Sequence, residues 1–185
     1  KRAKIIKNET VLIYGGASGV GSAAIQICRD IGAYIIATVG SSDKVKHAEK
    51  MGANSVVLHS DADWTKEVEN ITKNNGVDVV FEHVGKNTWE KSLSVLAKGG
   101  RIVTCGATTG QDVSINLAHL FIKQHSILGS TMSSLNTFRE VMEKIHKHVY
   151  FPFVDKIFKI QDIRYAHEYI EKRQQLGKVV VKFDL

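Results

Sequence analysis

The fold is decided by the stretch Thr10-Val-Leu-Ile-Tyr-Gly-Gly-Ala-Ser-Gly-Val-Gly-Ser-Ala-Ala-Ile-Gln-Ile-Cys28. A short aliphatic run is followed at once by a glycine-rich turn, and the turn leads into an apolar run of helical composition. Glycines let the backbone turn tightly and approach a ligand, and the amino terminus of the following helix offers free N–H groups and a partial positive charge. The stretch therefore predicts a strand, a turn and a helix arranged to receive a phosphate group.

The glycines of this turn match the dinucleotide-binding pattern Gly-x-Gly-x-x-Gly in two of its three places. Gly16 and Gly21 hold the first and third places, while Ser18 holds the middle one. A glycine-rich turn can also serve only the close packing of a strand on a helix. Its position directly after the first strand of an alternating chain favours dinucleotide binding over a purely structural turn.

Short runs rich in β-branched residues alternate with helical patterns through most of the chain. The predicted strands are Thr10–Tyr14, Tyr34–Val39, Ser55–Leu58, Val77–Glu82, Gly100–Cys105 and Ser126–Gly129. The predicted helices are Gly19–Ile31, Asp43–Met51, Trp64–Lys73, Thr88–Leu96 and Ser134–His148. We therefore predict an α/β fold of the Rossmann type: a doubly wound, parallel, six-stranded sheet of strand order 3-2-1-4-5-6, with helices on both faces.

The pattern changes after Pro152, which is the only proline of the chain. A strand at Lys156–Ile160, a helix at Asp162–Lys172 and a last strand at Lys178–Phe183 are predicted there. We therefore divide the chain into a nucleotide-binding domain, residues 1–150, and a carboxyl-terminal tail, residues 151–185, that returns to another domain.

The end of the second strand indicates which dinucleotide the site prefers. Where NAD is preferred, an Asp or Glu about 20 residues beyond the glycines binds the ribose hydroxyls. Val39 stands there in this chain, so no carboxylate at that position repels a 2′-phosphate. Ser41 and Ser42 can donate hydrogen bonds to such a phosphate and Lys44 adds positive charge, whereas Asp43 counts against this interpretation. The sequence favours NADPH and leaves NADH open.

The charge of the chain raises the question of a nucleic acid or membrane partner. The formal net charge is +6 at pH 7, but the basic residues are dispersed among Asp and Glu instead of forming one cluster. The longest apolar runs are far shorter than the ~20 residues of a membrane helix. We expect a small anionic cofactor, and neither a nucleic acid nor a membrane, as the partner.

The number of cysteines indicates the cellular compartment of the protein and limits the metal sites that it can form. Cys28 and Cys105 are the only cysteines, too few for a disulfide framework or a four-thiolate zinc cluster. Both are interpreted as small core residues, and a reducing cytoplasm is the expected location. No signal-peptide pattern opens the sequence, and because the chain begins with Lys1 instead of Met, we expect a piece of a longer polypeptide.

With these residues in place, the sequence resembles the medium-chain dehydrogenase/reductase superfamily, in its zinc-type alcohol dehydrogenase and quinone oxidoreductase branch. The stretches that carry the resemblance are Glu9–Gln26, Gly76–Gly85, Leu96–Gly110, Ser126–Met132 and Gly177–Val181. They run in order across nearly the whole chain, which makes the resemblance more specific than the glycine turn alone.

The resemblance implies a cofactor-binding domain whose catalytic partner precedes it in the same polypeptide. Catalytic zinc ligands, where present, and most of the substrate pocket belong to that preceding domain, so no catalytic residue or metal ligand is assigned to this chain. The cofactor contacts implied by the resemblance are Gly16, Ser18, Gly19, Val20, Ser41, Ser42, Lys44, Val84, Gly85, Cys105, Gly106, Leu128, Gly129 and Lys178. Those after the later strands also obey the rule that ligands of open α/β sheets bind beyond the carboxyl ends of the strands.

The function expected from these features is NADPH-dependent hydride transfer to a carbonyl or a conjugated double bond. A homodimer is expected through the last strand of the sheet, because an exposed edge strand at Ser126–Gly129 would otherwise be left unpaired.

His83 lies at the carboxyl end of the sheet, beside the predicted cofactor contacts. No nucleophile or metal-ligand pattern accompanies it, and it is interpreted as structural.

Other classes of protein share parts of this pattern. A short-chain dehydrogenase would need a Tyr followed four residues later by a Lys, and none of the five tyrosines has one. A nucleotide-binding or sensing module without turnover remains open, since fold does not fix function. A methyltransferase has a similar turn and sheet but would bind S-adenosylmethionine.

Overall fold

The computed structural model describes residues 1–183. Its strands are β1 Thr10–Ile13, β2 Tyr34–Val39, β3 Ser55–Leu58, β4 Val77–Glu82, β5 Leu96–Thr104, β6 Ser126–Gly129, β7 Val154–Lys159 and β8 Lys178–Lys182. Its α-helices are α1 Gly19–Ile31, α2 Val45–Met51, α3 Trp64–Ile71, α4 Trp89–Ser94, α5 Leu117–Ile122, α6 Leu135–His146 and α7 Ile163–Glu171. Two 3₁₀ turns, Ser42–Lys44 and Ile160–Asp162, precede α2 and α7.

The first six strands form one sheet in the order β3-β2-β1-β4-β5-β6, and every neighbouring pair is parallel. The predicted fold class and strand order are therefore confirmed. The last two strands, β7 and β8, pair in parallel as a separate two-stranded sheet. The tail thus has the strand–helix–strand order that the sequence predicts.

Both faces of the large sheet are buried under helices. Val11 and Ile13 in β1 pack on the side of α1 and α2, while Leu12 in β1 and Tyr14, just after it, pack on the side of α3 and α4. This division follows from the two-residue repeat of side chains along a strand. A strand buried on both faces needs apolar residues at successive positions, which explains the continuous aliphatic run that opens the fold.

The main differences from the sequence prediction lie at α4, β5 and α5. The predicted helix Thr88–Leu96 is too long, and the predicted strand Gly100–Cys105 starts too late, because β5 begins at Leu96. Leu96 pairs with Val77 and the next registered pair is Arg101 with Val79, so the residues between Leu96 and Arg101 bulge out of the ladder. The short helix α5, capped by the side chain of Asn116, was not predicted.

The tail packs directly on the glycine-rich turn. Ser18 forms an isolated parallel bridge with Gly177, and the Gly177 N–H donates to the Ala17 carbonyl at 2.7 Å. The side-chain amide of Gln26 in α1 exchanges two hydrogen bonds with the backbone of Phe151, at 2.9 and 3.0 Å. These contacts bring residues near β8 to the amino terminus of α1.

Candidate functional site

The glycine-rich turn is packed so closely that it leaves no room for side chains at two of its positions. A β-carbon at Gly16 would lie 2.8 Å from the Ala37 β-carbon in β2, and one at Gly21 would overlap the Gly15 carbonyl oxygen. Gly15 itself has a positive φ of 60°. Close packing therefore accounts for Gly16 and Gly21.

The amino terminus of α1 is arranged to bind an anion. Ser18 is the capping residue, and its hydroxyl accepts a hydrogen bond from the Gly21 N–H at 2.9 Å. Within residues 1–183, no group accepts a hydrogen bond from the N–H of Val20, which lies in an exposed part of the first turn. An unpaired N–H at a helix amino terminus, together with the helix dipole, favours a negatively charged ligand there.

Lys178 lies across this helix terminus. A β-carbon at Gly19 would lie 2.6 Å from the Lys178 Cδ, so the aliphatic part of the lysine side chain covers Gly19. Lys178 is exposed and forms no ion pair with another residue of the described chain. Gly19, Val20 and Lys178, three of the predicted cofactor contacts, thus lie together at the amino terminus of α1.

A second group of positive charges lies at the carboxyl end of β2. Lys44 donates from Nζ to the Arg173 carbonyl at 2.5 Å, and His59 Nδ1 lies 3.0 Å from Thr38 Oγ1. Partial burial, followed by the positive charges of Arg173 and Lys44, lowers the pKa of the His59 imidazole below its usual value. We call Lys44, His59 and Arg173 the basic cluster.

Sequence reasoning found only one member of the basic cluster. Ser41 and Ser42, which begin the 3₁₀ turn, and Lys44 were predicted from their place after β2. Arg173 lies 129 residues beyond Lys44, just after α7, and no local pattern connects the two. His59 follows β3 and reaches β2 only because the two strands are neighbours in the sheet.

The loop after β4 is shaped by a buried carboxylate. Glu82 is fully buried, and its Oε1 accepts hydrogen bonds from the N–H groups of Val84 and Gly85 at 2.6 and 3.1 Å. Its Oε2 accepts from the hydroxyls of Thr88 and Ser92 at 2.8 and 2.9 Å. Four donors compensate for the loss of hydration of a buried carboxylate. No role for Glu82 was predicted from the sequence. Its carboxylate nevertheless fixes the backbone of the predicted contacts Val84 and Gly85.

The ends of β5 and β6 carry the other predicted contacts. A β-carbon at Gly106 would lie 3.0 Å from the His83 carbonyl oxygen, whereas Gly129 has open space around it. Leu128 is half-buried against the core. Cys105 is exposed, so its interpretation as a core residue is wrong; β5 ends at Thr104, and Cys105 lies beyond it. Cys28 is buried in the core as expected.

His83 lies beside the glycine turn, with Nε2 2.9 Å from the Tyr14 carbonyl oxygen. A carbonyl oxygen can only accept, so this nitrogen carries the proton and donates. The hydrogen bond ties the loop after β4 to the end of β1 and supports the structural interpretation of His83.

The predicted contacts thus fall into three groups along the carboxyl edge of the sheet: the α1 terminus with Lys178, the end of β2, and the loops after β4, β5 and β6. The largest cavity, of about 720 Å³, lies elsewhere, between α4 and the segment before α5. Its walls include Trp89, Asp112 and His119 and none of the predicted contacts. The three groups are therefore spread along one edge of the sheet and do not share a single cavity.

Among residues 1–183, no three His, Cys, Asp or Glu side chains are grouped so that they could hold a metal ion. Over the same range, every helix is too short or too polar to span a bilayer.

The strand order and the glycine turn define the class of this protein: a doubly wound α/β domain of the kind that binds nucleotides at the carboxyl edge of its sheet. The family model described as "Zinc-binding dehydrogenase" matches residues 19–147. The chain belongs to this family, as the resemblance of its sequence indicates.

Relatives and solved structures agree with this assignment. A quinone oxidoreductase of Salmonella typhimurium is 31% identical over 190 residues, which cover 96% of this chain and 58% of the relative. The crystal structure of an NAD-dependent alcohol dehydrogenase superposes with a TM-score of 0.90 at 36% identity, over 97% of this chain and 52% of that one. A crotonyl-CoA carboxylase/reductase solved in complex with NADP has a TM-score of 0.86 at 25% identity, over 98% and 51% of the two chains. The chain therefore spans little more than half the length of such relatives.

Proposed function

We propose that this chain is the dinucleotide-binding part of an NADPH-dependent oxidoreductase of the alcohol dehydrogenase or quinone and enone reductase type. The observation that carries the proposal is the unpaired Val20 N–H at the start of α1 with Lys178 lying across the same terminus. A pyrophosphate that accepts from this N–H would also be neutralised by the lysine. Family membership supports the same role.

The preference for NADPH rests on the end of β2. Val39 stands where a carboxylate would bind the ribose hydroxyls of NADH, and the basic cluster lies beside it with the hydroxyls of Ser41 and Ser42. A 2′-phosphate is a dianion at neutral pH and would be attracted there. One similar structure is of an NAD-dependent enzyme and another contains NADP, so the comparisons leave the choice between the two open.

The remaining contacts would hold the nicotinamide half of the cofactor. Val84, Gly85, Cys105, Gly106, Leu128 and Gly129 present backbone groups and small side chains beyond β4, β5 and β6. A flat ring can lie against such a surface and bind through its carboxamide. The bound nicotinamide supplies hydride transfer to a carbonyl or a conjugated double bond, while the protein fixes its position.

The rest of the catalytic machinery is proposed to lie outside this chain. Residues 1–150 form the dinucleotide domain in this proposal, and residues 151–185 link it to a catalytic domain that precedes it in the polypeptide. The 58% coverage of the quinone oxidoreductase relative supports such a domain. Zinc would enter only through that domain. The free cysteines Cys28 and Cys105 agree with the proposed cytoplasmic location.

A homodimer is proposed through β6. This strand is the edge of the large sheet, and its surroundings expose apolar side chains that water does not favour. The exposed apolar side chains in and next to α5 and α6 include Leu117, Phe121, Ile122, Met132, Leu135 and Phe138. Light scattering should give twice the chain mass, and a monomer at high concentration would contradict the proposal.

The function is tested by titrating the protein with NADPH, NADH and S-adenosylmethionine. NADPH should bind with a lower Kd than NADH, and S-adenosylmethionine should not compete with it. The full-length protein should then oxidise NADPH in the presence of a quinone or an enone. Binding without turnover would instead support a sensing module, and competition by S-adenosylmethionine would support a methyltransferase.

A further inference from the structure

His59 is placed where it can contact both the sheet and a ligand at the end of β2. Its backbone N–H donates to the Val39 carbonyl at 3.0 Å, which continues the pairing of β3 with β2. One edge of the ring, at Nδ1, lies 3.0 Å from Thr38 Oγ1. The other edge faces Gly40, since a β-carbon there would lie 3.3 Å from Nε2. His59 as a whole remains exposed to solvent.

The hydrogen bonds around Thr38 favour one of the two neutral forms of the His59 ring. Thr38 Oγ1 accepts from the Gly15 N–H at 3.3 Å, and its own single proton can be donated to His59 Nδ1. The neutral imidazole then carries its proton on Nε2, the edge that faces Gly40. His59 is therefore connected through Thr38 to the glycine turn, and it presents an N–H donor to the place where an adenosine ribose would lie.

The two charged groups that act on the pKa of His59 are both positive. Lys44, from the 3₁₀ turn after β2, and Arg173, from the loop after α7, are the two charged groups that act on it. Burial of the inner ring edge and these two cations lower the pKa of His59, so the imidazole is mainly neutral near pH 7 without a ligand. A dianion bound among the three groups would reverse the sign of the local potential.

We propose that His59 couples phosphate recognition to proton uptake: it becomes protonated when a phosphate monoester on the adenosine ribose binds to the basic cluster. This inference rests on the proposed function and adds regulation by pH to it. Protonated His59 donates from Nε2 to a phosphate oxygen and from Nδ1 to Thr38 Oγ1, whose two lone pairs then accept from His59 and from the Gly15 N–H. The proton comes from solvent, and no covalent bond to the ligand forms or breaks.

The coupling between phosphate binding and protonation of His59 determines the direction in which the affinity for NADPH changes with pH. Because the bound state holds His59 at a higher pKa than the free state, the affinity for NADPH increases as pH falls through the interval between these two pKa values. NADH has no phosphate at that position, and its affinity should not follow this trend. Below about pH 6 the phosphate itself takes up a proton, and the gain should level off.

The test measures the Kd of NADPH and of NADH between pH 6 and pH 8.5 for the wild-type protein, for His59→Gln and for His146→Gln. His146 is an exposed histidine at the end of α6 and serves as the matched control. The Kd ratio of NADH to NADPH should rise roughly three- to tenfold from pH 8.5 to pH 6.5 in the wild type and in His146→Gln. The ratio should stay nearly constant in His59→Gln.

Calorimetry on the wild-type protein provides a readout that needs no variant. Binding of NADPH in buffers of different ionisation enthalpy should show net proton uptake of up to about one proton, and binding of NADH should show none. A pH-independent ratio in the wild type, equal proton uptake with both dinucleotides, or an unchanged slope in His59→Gln would each overturn the inference. If neither dinucleotide binds at any pH, the proposed function itself is wrong, which is a different result.

Discussion

At the scale of single residues, the proposed dinucleotide site would recognise the pyrophosphate and the ribose phosphate with separate groups of residues. Val20 and Lys178 lie at the helix terminus that every form of the dinucleotide would use, whereas Lys44, His59 and Arg173 lie at the end of β2. Substitutions in the first group should affect NADPH and NADH alike. Those in the second group should affect only NADPH.

A carboxylate placed at the end of β2 should reverse the cofactor preference. In Ser41→Asp the new charge would repel a 2′-phosphate and could accept from ribose hydroxyls. The Kd of NADPH should rise about 10- to 100-fold, while that of NADH changes by less than about threefold. Fluorescence titration measures both values. Ser114→Asp, an exposed serine in the loop before α5, is the control, and an equal effect of the two substitutions would contradict the assignment of Ser41.

Removing the charge of Lys178 should weaken both dinucleotides together. Lys178→Met keeps most of the aliphatic side chain that covers Gly19 and loses only the ammonium group. The Kd values of NADPH and NADH should both rise by about three- to tenfold, because the pyrophosphate is common to them. Lys182→Met, at the other end of β8, should change neither. An effect confined to NADPH would place Lys178 at the 2′-phosphate instead.

At the scale of elements, the sequence predicts well where apolar periodicity and a terminating glycine coincide. The bounds of α1, β2, β3, β4 and β6 agree with the prediction, and Gly32 ends α1 with the expected left-handed conformation. The start of β5 could not be predicted in this way. Leu96 looks like the last apolar residue of a helical pattern, and only its pairing with Val77 across a bulge makes it part of a strand.

The glycine turn should tolerate no side chain at Gly21. A β-carbon there would meet only backbone atoms of Gly15 and Gly16, which cannot move aside as a flexible side chain can. Gly21→Ala should therefore lower the free energy of unfolding by about 3 kcal/mol or more, measured by urea denaturation. Gly129→Ala meets open space and should change it by less than about 0.5 kcal/mol. Equal stability of the two variants would contradict the packing of the turn.

At the scale of the whole molecule, contacts between distant segments complete the site. The tail delivers Lys178 to α1 through the bridge of Ser18 with Gly177, and it brings Arg173 to Lys44. A sequence pattern indicates which residues share one face of a helix or strand. The contacts of the tail with α1 and with Lys44 form only when residues far apart in the sequence come together in the folded chain. For this reason the turn and the end of β2 were predicted from sequence, while Arg173 and His59 were not.

The amino-terminal segment is held to the sheet by an ion pair that should make stability depend on pH. Arg101 in β5 binds both carboxylate oxygens of Glu9, at 2.7 and 2.8 Å, and donates to the Ala3 and Lys4 carbonyls. The hydrogen bond from Arg101 is the main cause of the lowered pKa of Glu9. A lowered pKa in the folded state contributes stability above the unfolded pKa of about 4.3, and this contribution is lost as pH falls through the folded pKa.

Arg101→Met should remove this contribution. The free energy of unfolding should fall by about 2 kcal/mol at pH 7, and the difference between the two proteins should shrink as pH falls through the folded pKa of Glu9. Urea denaturation at pH 7, 5 and 3 measures it. A difference that stays constant over this range would show that the pair with Glu9 does not carry the effect.

The central claim is that a dinucleotide pyrophosphate lies against the amino terminus of α1. The most direct measurement is the change in backbone amide resonances of the isotope-labelled protein on titration with NADPH. The largest saturable changes in amide resonance are expected at Ser18, Gly19 and Val20, and the resonance of Lys178 should change in parallel. Shifts confined to another surface, such as the cavity beside Trp89, with no change at Val20, would contradict it.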